Sequence, residues 1–117
     1  MDITIKFINQ NAIRNGQWDD YFYNPEGNLV FIIGETGNPF YNKVMLIHAL
    51  VEQLLTEESG TPEAAITKFD EDHMDSEEPG LEEDSPYRDE HLLAEAIERM
   101  IFAFLKRPWK SYEEALV

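Results

Sequence analysis

Residues 28–56 read Asn-Leu-Val-Phe-Ile-Ile-Gly-Glu-Thr-Gly-Asn-Pro-Phe-Tyr-Asn-Lys-Val-Met-Leu-Ile-His-Ala-Leu-Val-Glu-Gln-Leu-Leu-Thr, and the hydrophobic period changes once within them. Residues 28–35 are a short β-branched and aromatic run, the composition of a strand. Gly37-Asn38-Pro39 breaks it. From residue 40 to 56 the apolar residues Val44, Ile47, Val51, Leu54 and Leu55 recur at spacings of three and four, which predicts an amphipathic helix. His48 and Glu52 stand at the margin of that stripe, one turn apart on the same helical edge. A strand running into a helix, with further strand signals before it, makes the chain an α+β protein.

Upstream, residues 2–8 alternate, with Ile3, Ile5 and Phe7 on one face and Thr4, Lys6 and Ile8 on the other, as in a half-buried strand. Asn15-Gly16 marks a turn. Residues 20–24 form a second β-rich run, separated from 28–35 by Pro25, Glu26 and Gly27, so a hairpin is expected. The first third therefore predicts a small antiparallel sheet of about three strands, followed by two main helices and short accessory ones.

Downstream of Ser59-Gly60, Thr61-Pro62-Glu63 opens a short helix over residues 62–69. Residues 70–85 hold nine acids and no Lys or Arg, and their self-repulsion together with Pro79-Gly80 predicts an exposed acidic loop. Ser85-Pro86 caps a second long helix that runs to about Leu105. Its wide apolar side is Leu93, Ala96, Ile97, Met100, Ile101 and Phe104. His91, Glu95 and Glu98 cluster opposite, on a face read as solvated, while Glu90 projects toward the apolar arc. Pro108 ends this helix, and a last short one over 109–116 docks Trp109 and Tyr112 on the core.

At 117 residues the chain suits one domain, 1–117, with a single core. Its formal charge of −15, from 24 acids against 9 bases, opposes direct binding to nucleic acid or to an anionic membrane and favours a basic partner surface. Cysteine is absent, which removes disulfides, thiolate metal sites and cysteine nucleophiles. Neither a signal peptide nor a bilayer-spanning run is legible, so a cytoplasmic protein is the expectation.

The chemistry that remains is that of imidazoles and carboxylates, a donor set suited to zinc and also to manganese or iron. His48 and Glu52 supply two candidate ligands from one helix. His91 or Glu90 supplies a third if the two long helices pack antiparallel, with Asp70 and His73 as weaker candidates. Ala49 stands where a His-Glu-x-x-His peptidase helix carries its general base, so a hydrolytic reading lacks its usual base. The serines lie in no nucleophile-elbow context, and Asp70 to Asp75 lacks the glycine and spacing of a calcium loop.

Short strands, His48-x-Leu50-Val51-Glu52, Gly60, Phe69-Asp70, Glu78-Pro79-Gly80, Pro86-Tyr87, Glu90-His91 and Trp109-Lys110-x-Tyr112 follow one another in an order that resembles a family of small uncharacterised proteins of tailed phages and prophages. The resemblance covers roughly residues 20–113. In that family the first helix commonly reads His-Glu-Leu-Val-Glu and the later one begins Glu-His, which is similar to a minimal zincin-type metal site. It implies that His48, Glu52, Glu90 and His91 are the metal-site positions, and Ala49 departs from the pattern at the base. Two functional expectations follow. One is a phage accessory protein with a catalytically degenerate metal site. The other is a non-enzymatic acidic protein that occupies a basic surface on a host or phage protein. A purely structural or assembly role is a third.

Overall fold

The computed structural model describes residues 1–117. Three strands, β1 (Ile3–Ile8), β2 (Asp19–Tyr23) and β3 (Leu29–Gly34), form one sheet in the order β1-β3-β2. Strand β3 takes the centre because it is the only one that is apolar on both faces: Leu29, Val30, Phe31, Ile33 and Gly34 are all buried. Its pairing with β2 is the expected antiparallel hairpin, turned by Asn24–Asn28 with Gly27 at φ 80°. Strand β1, however, lies parallel to β3, with Ile3 beside Leu29 and Phe7 beside Ile33. The sheet is therefore mixed and not purely antiparallel. The hairpin occupies one edge of β3, which leaves the N-terminal strand the other edge, reached through 3-10 turns at Gln10–Ala12 and Arg14–Gly16. Gly34 fixes this crossing, since a Cβ there would lie 2.5 Å from the Trp18 ring that packs over the end of β3.

Helix α1 (Pro39–Glu58) starts at Asn38, whose side chain accepts from the Phe40 and Tyr41 amides, with Pro39 in the first turn where its missing N–H costs nothing. Helix α2 (Glu63–Asp72) continues three residues beyond the predicted end. Helix α3 (Arg88–Phe104) starts later than Ser85-Pro86 predicts, because residues 85–88 form a turn in which Ser85 Oγ accepts from the Tyr87 amide. Helix α4 (Trp109–Ala115) follows Pro108 as expected. The core joins Leu29, Phe31 and Ile33 to Val44, Met45 and Ala49 of α1, Phe102 of α3 and Tyr112 of α4. The Phe102 ring centroid lies 5.2–5.3 Å from those of Phe40, Trp109 and Tyr112 in tilted and edge-on contacts, so α4 is held by aromatic packing as well as by area.

Both long helices are rotated relative to the apolar stripes in their sequences. Helix α1 buries Val44, Met45, His48, Ala49, Glu52 and Gln53 and leaves Ile47, Leu50 and Leu54 exposed. Helix α3 buries Ala94, Glu98 and Phe102, and it is Leu93, Met100 and Phe104 that face outward. The face of His91, Glu95 and Glu98, expected in solvent, is turned inward against α1. In β1 the row Ile3, Ile5 and Phe7 is likewise exposed, because α1 covers the β3 and β2 part of that sheet face and stops short of the edge.

The acidic segment exposes Glu71, Asp72, Asp75, Glu77, Glu78, Glu83 and Asp84, but its middle is packed down. After α2 it makes turns and a 3-10 helix, Pro79–Leu81, in which Pro79 and Gly80 are buried. Gly80 sits so close to α3 that a Cβ would lie 2.7 Å from the His91 ring. The absence of a side chain at position 80 lets this segment press onto the imidazole and wall it in.

Candidate metal centre

The inward faces of α1 and α3 meet at His48, Glu52 and His91, each contributing one donor atom within 4.8 Å of the others. His48 Nε2 donates to Glu52 Oε2 at 3.1 Å, the i,i+4 contact expected on one helix edge, and His91 Nδ1 donates to the same oxygen at 2.9 Å. Glu52 Oε1 accepts from the Tyr21 hydroxyl of β2 at 2.8 Å, which sets the orientation of the carboxylate. On its far side His48 Nδ1 donates to Glu98. His91 Nε2 is buried without a hydrogen bond and faces Glu78 at 3.8 Å. Each imidazole thus has one nitrogen on Glu52 and the other turned to an outer acid, the arrangement that fixes ring orientation and tautomer around metal ions.

Electrostatics follows from this packing. Burial alone would lower the His48 imidazole, but its contacts with Glu52 and Glu98 overcome that and raise it well above its ordinary value. His91 behaves alike: burial opposes its charge, Glu52 and Glu78 favour it, and its pKa rises to about 9. Burial pushes Glu52 up, yet the two imidazoles win and hold it at about 2. The packing thus favours the protonated form of both imidazoles and the ionised form of Glu52 between them.

A cavity of about 490 Å³ opens on this cluster, walled among others by Asp19, Tyr21, Asp70, Glu78 and Tyr87. Burial, reinforced by the Glu52 charge, raises Asp19 to about 7, and burial raises Asp70 to about 6 against a 2.5 Å hydrogen bond from the Tyr87 hydroxyl. Trp109 Nε1 and Tyr112 Oη are buried donors without partners on the same cavity wall.

Of the residues singled out in the sequence, His48, Glu52 and His91 come together. Glu90 does not join them: it is half-buried, makes no hydrogen bond and does not line the cavity. Its place as the helix α3 acid is taken by Glu98, because α3 turns its 91–95–98 edge inward. Asp70 reaches the cavity, whereas His73 donates to the Phe69 carbonyl at 2.7 Å and stacks on the Phe69 ring as the cap of α2. Ala49 is fully buried among core side chains, so the position of the missing base faces the core. Sequence reasoning missed Tyr21, Asp19 and Glu78, which carry no periodic signal. Glu98 does carry one, since it shares the edge of His91 and Glu95, but the apolar arc opposite predicts that edge to face solvent. No family model, curated protein or solved structure matches the chain.

Proposed function

We propose that the chain is a divalent-metal-binding accessory protein of a phage or prophage, with a zincin-like but catalytically degenerate centre formed by His48, Glu52 and His91. The observation that carries this reading is the convergence of two imidazoles on one carboxylate, each imidazole turned to an outer acid on its other nitrogen. A tetrahedral ion with ligands near 2.1 Å spaces its donors roughly 3.4 Å apart. The present contacts of 3.1 and 2.9 Å are proton-filled versions of that spacing and need open only slightly. Two nitrogens and one oxygen favour zinc, manganese or iron over magnesium or calcium. The phage assignment rests on the resemblance alone.

Zinc titration of tag-free protein tests the reading. One equivalent should bind, and His48→Ala or His91→Ala should weaken binding by about 100-fold or more, since loss of an outer partner alone costs about 10- to 100-fold. His73→Ala should leave it unchanged. Because the ion must displace protons from both imidazoles, affinity should climb as pH rises toward and through about 9, where His91 gives up its proton. Equal affinity of wild type and His91→Ala contradicts the assignment. A second reading, docking on a basic protein surface, is supported by the charge of −15 and by exposed Glu77, Glu83 and Asp84. Such a complex weakens as salt rises, whereas zinc binding at a buried centre responds little.

A further inference from the structure

We infer that the outward apolar face of α1 and α3 docks a second copy of the chain, with the two α3 helices packed antiparallel about a two-fold axis. Leu93, Ile97, Met100 and Phe104 recur at spacings of four, three and four, the seam spacing of paired helices. Yet Met100 is 68% and Phe104 85% exposed, and Leu93 is exposed too, so only Ile97 of that seam is partly covered within the chain. Ile47, Leu50 and Leu54 of α1 add a parallel exposed stripe.

Three observations select the occupant. The first is area. At roughly 200 Å² for a fully exposed large side chain, Ile47, Leu50, Leu54, Leu93, Met100 and Phe104 present on the order of 700 Å² before half-buried Ile97 and the alanines Ala96 and Ala103 are counted. A stable pairwise interface needs about 800 Å² per partner.

The second is where the charge is absent. Acids number 24 in 117 residues, but between Lys43 and Leu54 the only acid of α1 is the buried Glu52, and the outer arc of α3 from Leu93 to Phe104 carries none. The negative charge that keeps copies apart elsewhere is missing from this face. The third is end-to-end complementarity. Helix α3 opens Arg88-Asp89-Glu90, an end that is net acidic, and is followed by exposed Lys106-Arg107. A two-fold axis at the level of Glu98 brings Ala96 against Met100 of the second copy, where the small residue admits the long one. The same axis sets Asp89 and Glu90 toward the end of the second copy's α3, beyond which Lys106 and Arg107 follow. Such surface pairs contribute little affinity, but they favour the antiparallel arrangement over the parallel one. A self-complementary patch of this kind closes as a dimer and does not propagate.

Sedimentation equilibrium of the full chain, kept in chelator, tests the inference. From about 1 to about 100 µM the wild type should approach a mass twice the chain's 13.6 kDa. Because each copy carries −15, added salt should tighten the dimer by screening. Leu93→Glu with Met100→Glu should weaken association at least about 100-fold while leaving circular dichroism and zinc binding as in the wild type, since the metal centre lies on the opposite face of α3. Should that variant misfold, Ala96→Cys with Met100→Cys in an otherwise cysteine-free chain supplies an independent readout, an intermolecular disulfide on mild oxidation. A wild type that stays monomeric at the highest concentration overturns the inference and leaves the face to a different partner. A dimer that loosens with salt, or one that survives both glutamates, places the interface elsewhere and overturns it equally.

Discussion

Glu52→Ala is expected to destabilise the ion-free protein by about 3–5 kcal/mol, the cost of leaving a buried charge without its partner. Three donors converge on this one carboxylate: His48 Nε2, His91 Nδ1 and the Tyr21 hydroxyl. Glu52 is 5% exposed. Its removal leaves two imidazoles 4.8 Å apart, centroid to centroid, with no anion between them. They must then lose a proton or repel. Urea unfolding in chelator measures the loss, and its pH dependence carries a further signature. Histidines raised in the folded state stabilise it fully below their unfolded value near 6.5, and the His91 share of that stabilisation fades as pH rises through about 9. Glu52, depressed to about 2, adds stability above its unfolded value near 4.3 that disappears as pH falls toward 2. The wild type should therefore be most stable between roughly pH 4.5 and 6.5 with respect to these groups, and Glu52→Ala should flatten both flanks. A loss below about 1 kcal/mol would mean that the network is not ion-paired.

Ala49→Glu is the second large effect, and its direction is opposite to what motif restoration suggests. The substitution recreates His-Glu-Leu-Val-Glu, yet position 49 is fully buried among Leu29, Phe31, Val44, Met45 and Phe102. Extra atoms in a packed core cost about 1–3 kcal/mol, and an unpaired carboxyl there adds a desolvation cost of several more. The expected result is a loss of about 4 kcal/mol or more, read as a fall in Tm, with no gain of peptide hydrolysis. A variant as stable as the wild type would place position 49 on the cavity and would mean that α1 is rotated from the orientation described.

Element order and type were largely legible in the sequence, since the change of period at Gly37-Asn38-Pro39 and the breaks at Ser59-Gly60 and Pro108 are local signals. The parallel pairing of β1 was not, because edge choice depends on which strand is apolar on both faces and not on β1 itself. The largest misreading concerned helix rotation. Apolar periodicity assigns Leu93, Met100 and Phe104 to the core and His91, Glu95 and Glu98 to solvent, and the fold does the reverse for most of these residues. The rule assumes that burial is governed by transfer of apolar surface alone. Here a hydrogen-bonded network of His48, Glu52, His91 and Glu98 occupies the α1–α3 contact, and mutual ion pairing makes that burial tolerable. The same rotation explains why His48, Glu52 and His91 meet, why Glu98 and not Glu90 is the acid that completes them, and why an apolar stripe remains outside.

X-ray absorption at the zinc edge of stoichiometrically loaded protein addresses the donor set itself. The expected result is a first shell near 2.0–2.1 Å with the multiple-scattering pattern of two imidazoles, reduced to one in His91→Ala. A shell of oxygens without imidazole scattering, or a spectrum unchanged by His91→Ala, would contradict the assignment of His48, Glu52 and His91 as a metal centre.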